Sequence, residues 1–289
     1  MKKLLVTGAS GFLGWHVVRL AQSQWQVYGT YRQRAVQQVG VTLLPLDLTD
    51  ATAVNDLFQT LQPDAVLHLA AQSSPNACQT DPQGSYQINV LAAWEIAGRC
   101  ADADIPCGFT SSELVFDGRQ PPYRETDAVC PVSLYGEQKV AAETGMLDRC
   151  SKAVICRMPL MFGAAPAPSF IQPWIEALRS GRSLNLFVDE IRTPVSGEDA
   201  ARGLLLALAK AQGILHLGGR ERLSRYDMGR QLAEILQLPL ALLHPCRQAD
   251  VPMAAPRPPD VSMDSSLAFG LGYQPQPMRA ELQRLQPQL

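Results

Sequence analysis

The sequence has little charge and no apolar run long enough to cross a membrane. Charged residues make up 18% of its 289 residues, and the formal net charge is −2. A nucleic-acid partner requires a concentrated basic face, so we expect none. A strongly apolar stretch, residues 203–209, is too short to span a bilayer and predicts a buried helix. Thr7 and Gly8 end the apolar start of the chain too early for a secretory signal, so we expect a cytoplasmic protein without membrane contact.

Paired cysteine motifs are also missing. The chain has seven cysteines, an odd number, and no two of them have the Cys-x-x-Cys spacing of zinc sites or redox pairs. Its four histidines are equally dispersed. This distribution disfavours a disulfide framework and a clustered metal site, and it is typical of a reducing compartment. We therefore predict no bound metal.

What the sequence does have is a regular alternation of short apolar runs and amphipathic segments. Runs rich in Val, Ile and Leu are typical of strands covered by helices on both faces of a parallel sheet. The predicted strands are Lys3–Thr7, Gln26–Thr30, Thr42–Leu46, Ala65–Leu69, Cys107–Ser111, Ala153–Arg157 and Ile214–Leu217. The predicted helices include Leu13–Gln22, Thr52–Leu61, Tyr86–Ala101 and Leu134–Arg149. This alternation predicts a doubly wound α/β fold of the Rossmann type with a parallel sheet.

Proline becomes frequent after about residue 160, and this density breaks regular elements. We therefore predict a dinucleotide-binding domain over residues 1–160 and a smaller, loop-rich substrate lobe over residues 161–289. A segment at about 195–218 is predicted to return a strand to the first domain.

The first predicted strand leads directly into a glycine-rich loop. Gly8, Gly11 and Gly14 follow the strand, and a predicted helix begins beside them. Glycines at these positions allow a sharp turn and a close approach of the backbone to a pyrophosphate, which then meets the free N–H groups of the helix. A glycine triplet between the first strand and helix of a βαβ unit predicts a dinucleotide site far better than a triplet alone. Ser10, Phe12 and Leu13, which lie between the glycines in the sequence, are further candidate contacts to the dinucleotide.

The end of the second predicted strand indicates which dinucleotide is bound. NAD sites carry an acidic residue here, whereas this chain has Tyr31-Arg32, with Arg34 just beyond. A guanidinium binds a 2′-phosphate through paired hydrogen bonds and also stacks on adenine. The pattern favours NADP(H) over NAD(H), with solvated surface arginines as the alternative. Asp47, after the third strand, is a candidate for the adenine amino group.

Tyr135 and Lys139 are four residues apart in a predicted helix, so their side chains share one face. A nearby ammonium favours the phenolate and lowers the pKa of a tyrosine. Such a phenol exchanges a proton with a carbonyl or alcohol oxygen during reduction or oxidation. Upstream, Ser112 follows the end of a predicted strand, where an α/β fold forms its ligand crevice.

Together these motifs resemble the extended short-chain dehydrogenase/reductase family, within the NAD-dependent epimerase/dehydratase superfamily. The matching segments are Thr7–Gly14, Asp47-Leu48, His68–Ala71, Asn89, Ser111-Ser112, Tyr135–Lys139 and Arg157–Pro159. The segments most similar to the dTDP-4-dehydrorhamnose reductases are Ser112–Gly118, Glu125–Asp127, Gly213–Gly218 and Arg257-Pro258. The resemblance implies a catalytic triad of Ser112, Tyr135 and Lys139, with Lys139 also holding the nicotinamide ribose. It further implies that Leu48, Ala70 and Ala71 line the cofactor cleft and that the chain forms a homodimer through the helix carrying Tyr135.

Two departures from the rhamnose reductases remove sugar contacts. Those enzymes carry Asp-Tyr where this chain has Glu113-Leu114, and a tryptophan before the segment that corresponds to Leu160–Gly163. A hydroxyl and an aromatic plane are thereby lost. Leu114 also stands where the resembling sugar dehydratases carry a catalytic glutamate, which argues against dehydration. Glu113 and Arg192 remain the candidate substrate contacts, since a guanidinium suits a substrate phosphate.

These inferences predict an NADP-dependent reductase of a keto group on a nucleotide-linked deoxysugar or a similar small molecule. A catalytically silent NADP-binding regulatory subunit is one alternative, because the regulatory subunit of methionine adenosyltransferase also resembles the rhamnose reductases. The lost sugar contacts favour it, and the intact Tyr135/Lys139 pair weighs against it. An NAD-retaining sugar epimerase is the other alternative, which Arg32 disfavours.

Overall fold

Seven parallel strands form the sheet that organises the molecule, in the order β11-β6-β5-β4-β1-β2-β3. The computed structural model describes all 289 residues. The strands are β1 (Lys3–Thr7), β2 (Gln26–Tyr31), β3 (Val41–Pro45), β4 (Ala65–His68), β5 (Cys107–Ser112), β6 (Ala153–Met158), β7 (Met161–Phe162), β8 (Leu184–Phe187), β9 (Ile191–Arg192), β10 (Val195–Ser196), β11 (Gly213–His216), β12 (Leu223–Ser224) and β13 (Leu243–Cys246). The predicted doubly wound α/β fold is confirmed.

The position of β1 explains where the fold opens a crevice. Its neighbours are β2 on one side and β4 on the other, both parallel to it. The chain therefore leaves β1 in one direction and later returns on the other side, and the crevice of such a sheet lies at the carboxyl ends of these strands.

Helices cover both faces of the sheet. They are α1 (Phe12–Ala21), α2 (Ala51–Leu61), α3 (Pro75–Thr80), α4 (Pro82–Tyr86), α5 (Ala92–Asp102), α6 (Leu134–Arg149), α7 (Ile171–Arg179), α8 (Gly197–Lys210), α9 (Arg225–Ile235), α10 (Ser266–Leu271) and α11 (Met278–Leu285). One core of 23 buried residues includes side chains of β1, α1 and α8, and another of 17 includes side chains of β5, α5 and α6. Burial of apolar surface on both faces drives this layered packing.

One predicted helix differs from the observed structure. The segment predicted as a single helix over Tyr86–Ala101 contains a π-helical turn, Gln87–Leu91, between α4 and α5. Within it, the Asn89 side chain accepts a hydrogen bond from the Gln72 amide and donates to the Gln72 carbonyl and to Gln138. These contacts come from distant parts of the chain, so apolar periodicity did not reveal the turn. Such turns often occur at functional sites.

The residues after β6 build the smaller part of the structure from short strand pairs and helices. The pairs are β7 with β10, β8 with β13 and β9 with β12, and a core of eight buried residues joins α7, α9 and α11. Within this part, β11 pairs with β6 of the main sheet, and α8 packs against α1. The domain boundary near residue 160 stays a prediction.

A proline-rich segment, residues 251–260, links this smaller part back to the helices of the first; we call it the strap. The side-chain oxygen of Asn76 accepts hydrogen bonds from the Ala255 amide and from Arg257. At the end of the strap, Asp260 forms an isolated parallel β-bridge with Ile191 of β9. No helix of the structure is long and apolar enough to cross a membrane.

Candidate active site

The glycine loop connects β1 to α1 and needs glycine at two positions. Gly8 has a φ of +69°, and a Cβ placed on it would lie 2.9 Å from the Ala70 backbone. A Cβ on Gly14 would collide with the Gly8 carbonyl oxygen. Gly11 caps α1 without any side-chain hydrogen bond, so the first amides of the helix are open. This backbone cradle fits the pyrophosphate of a dinucleotide.

Thr7 joins the loop to the opposite side of the crevice. Its hydroxyl accepts hydrogen bonds from the Leu69 and Ala70 amides and lies 2.7 Å from Nδ1 of His68. Burial lowers the pKa of His68 to about 3, so this imidazole is neutral and structural. The contact places Ala70 and Ala71 opposite the glycines.

One cavity of about 480 Å³ lies at the carboxyl ends of the strands. Every predicted cofactor contact lines it: Gly8, Ser10, Gly11, Phe12, Leu13, Gly14, Tyr31, Arg32, Asp47, Leu48, Ala70, Ala71, Tyr135 and Lys139. The lining residues that were not among the predicted cofactor contacts are Thr30, Leu46, Leu69, Gln72, Ser73, Ile88, Thr110, Ser111, Met158 and Met161. Thr110 and Met158 lie at the ends of strands, a position that could have identified them from the sequence. Gln72 and Ile88 reach the cavity only because of the loop after β4 and the π-helical turn.

Arg32 and Asp47, both predicted to contact the cofactor, contact each other in the structure. The Arg32 Nε lies 3.2 Å from the Asp47 carboxylate, and both side chains are largely exposed. Hydrogen bonds from Thr49 and the charge of Arg32 hold the pKa of Asp47 below its usual value. An exposed pair of this kind contributes little to stability, so Arg32 is free to exchange Asp47 for another anion at small cost.

Tyr135 lies in the first turn of α6 and is buried. Burial raises its pKa well above the usual range, and a hydrogen bond with Ser112 works in the opposite direction. The expectation of a lowered pKa for this phenol is therefore wrong, because desolvation of the charged form outweighs the favourable contacts. A protonated phenol at the cavity wall is a proton donor.

Lys139 is one helical turn further along α6, with a side chain 2% exposed. Its ammonium donates a hydrogen bond of 2.9 Å to the Thr110 carbonyl and lies over the rings of Phe109 and Tyr135. Burial lowers its pKa to about 8, against an opposing effect of Glu143.

Ser112, the third predicted catalytic residue, ends β5 just outside the lining of the cavity. Its hydroxyl caps the following turn by accepting a hydrogen bond from the Leu114 amide. The side chain of Ser112 acts on the pKa of Tyr135, and the Thr110 and Ser111 positions, rather than Ser112, lie on the cavity wall.

The two predicted substrate contacts, Glu113 and Arg192, are buried against each other. The Arg192 Nε lies 3.1 Å from the Glu113 carboxylate. The remaining donors of Arg192 face the carbonyls of Ile191, Pro258 and Pro259 and the carboxylate of Glu190. Arg192 therefore has no donor left for a substrate phosphate. Its best contribution is to the shape of the cleft, because both side chains are at most 5% exposed.

Two further arginines adjoin this pair and each has an unpartnered nitrogen. Arg225 pairs with Glu190 at 3.0 Å and lies over the rings of Phe170 and Trp174. Nη1 of Arg225 and Nη1 of Arg257 are buried without a hydrogen-bond partner. Burial raises the pKa of Glu113 to about 8, so at neutral pH three guanidiniums face the single ionised carboxylate of Glu190. Such an excess of buried positive charge fits an anionic ligand.

Comparison with known proteins places these features in a wider group. The family model described as "RmlD substrate binding domain" matches residues 1–289. Methionine adenosyltransferase 2 subunit beta of Xenopus laevis is 31% identical over 282 residues, which are 94% of this chain and 83% of that protein.

Solved structures show the same fold. A dTDP-4-dehydrorhamnose reductase from Clostridium acetobutylicum matches with a TM-score of 0.86 and 24% identity, covering 98% of both chains. The dTDP-4-dehydrorhamnose reductase of Bacillus anthracis, solved in complex with NADP, matches with a TM-score of 0.88 and 20% identity over 99% of both chains. At these identities the likeness is one of fold.

Proposed function

Because the chain belongs to the RmlD substrate binding domain family, we propose that it is an NADP-dependent reductase of a keto group on a nucleotide-linked sugar. The observation that carries this proposal is the shared cavity: the open amides of the glycine loop and the side chains of Tyr135 and Lys139 line the same 480 Å³ space. A dinucleotide and a carbonyl substrate would therefore bind next to each other in this cavity.

The cofactor end of the cavity supports NADP(H). The amides at the start of α1 take the pyrophosphate, and Ala70 and Ala71 leave room for the nicotinamide half. Arg32 and Arg34 face a pocket beside Ser10, where a 2′-phosphate would replace Asp47 as the partner of Arg32. The cofactor supplies a hydride when bound.

The side chains at the other end supply the proton and the orientation. Tyr135, protonated in the free protein, donates its proton to the carbonyl oxygen as that oxygen gains charge. Lys139 holds the nicotinamide ribose and stabilises the phenolate that remains. Ser112, which ends β5 just outside the cavity lining, is the third residue that we propose to contact the carbonyl oxygen.

The substrate class follows from the arginine cluster. Arg225 and Arg257 each have one buried donor without a partner, in a region with excess positive charge. A diphosphate offers the acceptors that these nitrogens lack, and Phe170 and Trp174 extend an aromatic surface beside Arg225. A nucleotide sugar satisfies both features.

The competing function is a regulatory subunit that binds NADP without turnover. The similarity to methionine adenosyltransferase 2 subunit beta over 94% of the chain favours it. The two functions share the cofactor site and differ in whether Tyr135 transfers a proton.

The decisive experiment measures NADPH oxidation with a panel of 4-keto-6-deoxy nucleotide sugars, for the wild type and for Tyr135→Phe. We expect turnover by the wild type and a fall of at least about 100-fold in kcat for the variant, with NADPH affinity preserved, because phenylalanine lacks the proton. Equal residual rates in both proteins would show that Tyr135 is not the acid, and the regulatory function would then be preferred.

Substrate binding is tested separately with Arg225→Ala. We expect the Kd for dTDP or UDP to rise about tenfold, since one charge-assisted contact is lost, while the Kd for NADPH is unchanged. The control is Arg230→Ala, which removes an exposed arginine of the same helix. An unchanged nucleotide affinity in Arg225→Ala would rule out the cluster as the phosphate site.

A further inference from the structure

Lys139 has few partners for a buried ammonium. It donates one hydrogen bond, to the Thr110 carbonyl, and its other near neighbours are the ring faces of Phe109 at 4.6 Å and Tyr135 at 5.8 Å from Nζ. No carboxylate is in direct contact with it. Burial therefore favours the neutral amine, and the pKa of Lys139 falls to about 8.

The ionisable groups around Lys139 are almost all neutral at pH 7. Burial lowers the pKa of His68 on β4 to about 3, and it raises the pKa values of the Cys78 thiol on α3 and of the Tyr135 phenol. It also raises the pKa of Glu113, in the turn after β5, to about 8. None of these groups supplies a negative charge to balance the ammonium.

Glu143 is the exception. It follows Lys139 by four residues on α6, so both side chains lie on one helix face, and both are buried. Its charge opposes the effect of burial on the pKa of Lys139. The carboxylate of Glu143 also accepts two hydrogen bonds from Arg157 of β6, of 3.0 and 2.8 Å, and one from the Ser111 hydroxyl. These three contacts hold an ionised carboxylate rigidly inside the protein.

We propose that Glu143 is a positioning residue that keeps the Lys139 ammonium charged, while Arg157 and Ser111 hold its carboxylate in place. Glu143 lies outside the cavity lining. The charge state of Lys139 is a property of the free protein; its use in catalysis rests on the proposed reductase function. Removing the charge of Glu143 therefore acts first on Lys139 and only through it on the reaction.

The test compares the wild type with Glu143→Gln by competitive acetylation of Lys139 with acetic anhydride, quantified by mass spectrometry from pH 5.5 to 10. Glutamine keeps the shape and carries no charge, and its Oε1 still accepts from Ser111 and from Nε of Arg157, but its Nε2 cannot accept the hydrogen bond from Nη2 of Arg157. We expect the labelling midpoint of Lys139 to fall by about one pH unit from its wild-type position. The control, Glu137→Gln, removes an exposed carboxylate of the same helix and leaves the midpoint unchanged.

Arg157 is left without its partner in Glu143→Gln, which can prevent folding. The double variant Glu143→Gln/Arg157→Met removes both charges, and we expect a smaller fall in the same direction, because the Arg157 guanidinium opposes the effect of Glu143 on Lys139. A midpoint equal to that of the wild type in either folded variant overturns the proposal. This readout needs neither cofactor nor substrate, so an inactive wild type would overturn the proposed function and leave the labelling result standing.

If the wild type is active, the pH dependence of kcat gives a second test of Glu143→Gln. The alkaline limb of the kcat profile, where Lys139 loses its proton, moves to lower pH by the same amount as the labelling midpoint. A uniform loss of activity at every pH, without a shift of the limb, would mean that Glu143 has only a structural role.

Discussion

At the scale of single residues, burial decides which ionisable groups carry charge. Tyr135 and Lys139 occupy one helix face, and burial raises the pKa of the phenol and lowers that of the amine. Both shifts favour the neutral forms, as desolvation requires. The proton needed for carbonyl reduction is therefore on Tyr135 before any ligand binds.

The raised pKa of Glu113 predicts a pH-dependent stability. The folded protein keeps this proton up to about pH 8, whereas an unfolded glutamic acid releases it near its ordinary pKa of 4.5. The unfolded state is thus favoured increasingly as the pH rises between these values, by up to about 1.4 kcal/mol per pH unit. We expect Glu113→Gln to abolish this loss.

Urea unfolding between pH 5 and 8 measures this effect. The free energy of unfolding of the wild type should fall relative to that of Glu113→Gln by at least about 1 kcal/mol over this range. Glu95→Gln, which removes a partly exposed partner of Arg99, serves as the control and should follow the wild type. Parallel pH profiles for wild type and Glu113→Gln would contradict the prediction.

The position of Arg32 predicts a preference for NADPH over NADH. Replacing it with alanine removes a guanidinium from the mouth of the pocket that also contains Arg34. We expect the NADPH affinity of Arg32→Ala to fall about tenfold, with NADH affinity changed by less than twofold, because only NADPH has the 2′-phosphate. Fluorescence titration with both cofactors measures the ratio. If the NADPH/NADH ratio stays that of the wild type, Arg32 is a solvated surface arginine.

At the scale of elements, the geometry of the glycine loop admits little change. A methyl group on Gly14 would meet the Gly8 carbonyl and the Ala9 backbone. We expect Gly14→Ala to cost on the order of 2 kcal/mol of stability and to weaken NADPH binding at least about tenfold. Gly270→Ala is the matched control, since a Cβ there has open space in α10.

Thermal unfolding with and without NADPH measures both effects. A ligand at 100 times its Kd stabilises the folded state by about 2.7 kcal/mol. This stabilisation should be present in the wild type and in Gly270→Ala and be reduced in Gly14→Ala. Equal stabilisation of all three proteins would show that the close approach at Gly14 does not matter for binding.

At the scale of the whole molecule, the strap ties the smaller part of the structure to the helices beside the cavity. The tie depends on Asn76, which accepts hydrogen bonds from Ala255 and Arg257. We expect Asn76→Ala to increase the hydrogen-exchange rate of the Ala255 amide about fivefold, because one hydrogen bond contributes about 1 kcal/mol. The control is Gln79→Ala, an exposed position on the same helix. Unchanged exchange in Asn76→Ala would mean that other contacts hold the strap.

Oligomeric state also belongs to this scale. A homodimer through α6 stays a prediction from the family resemblance, and light scattering tests it against the 31.5 kDa mass of one chain.

The sequence alone determined the sheet, the cofactor loop and the family. Near-continuous apolar strands and the strand–glycine–helix junction are local patterns, and local patterns survive in a single sequence. All seven predicted strands lie in the main sheet, and each predicted boundary lies within one residue of the observed one. The motifs around Tyr135 and Lys139 identified the extended short-chain dehydrogenase/reductase fold, which the family model and the solved structures confirm.

Tertiary structure alone decided how the charged groups are used. Arg192 stands two residues before Pro194, and its residue type predicts a phosphate ligand, but β9 and the strap enclose it against Glu113. In the folded chain, Nη1 of Arg225 and Nη1 of Arg257 have no hydrogen-bond partner. Nothing in the sequence around these two arginines distinguishes them from Arg192. Charge pairing and desolvation depend on residues that are distant in the chain and close in space. Residue type and spacing therefore predicted which groups form the site, and packing determined which of them remain available to a ligand.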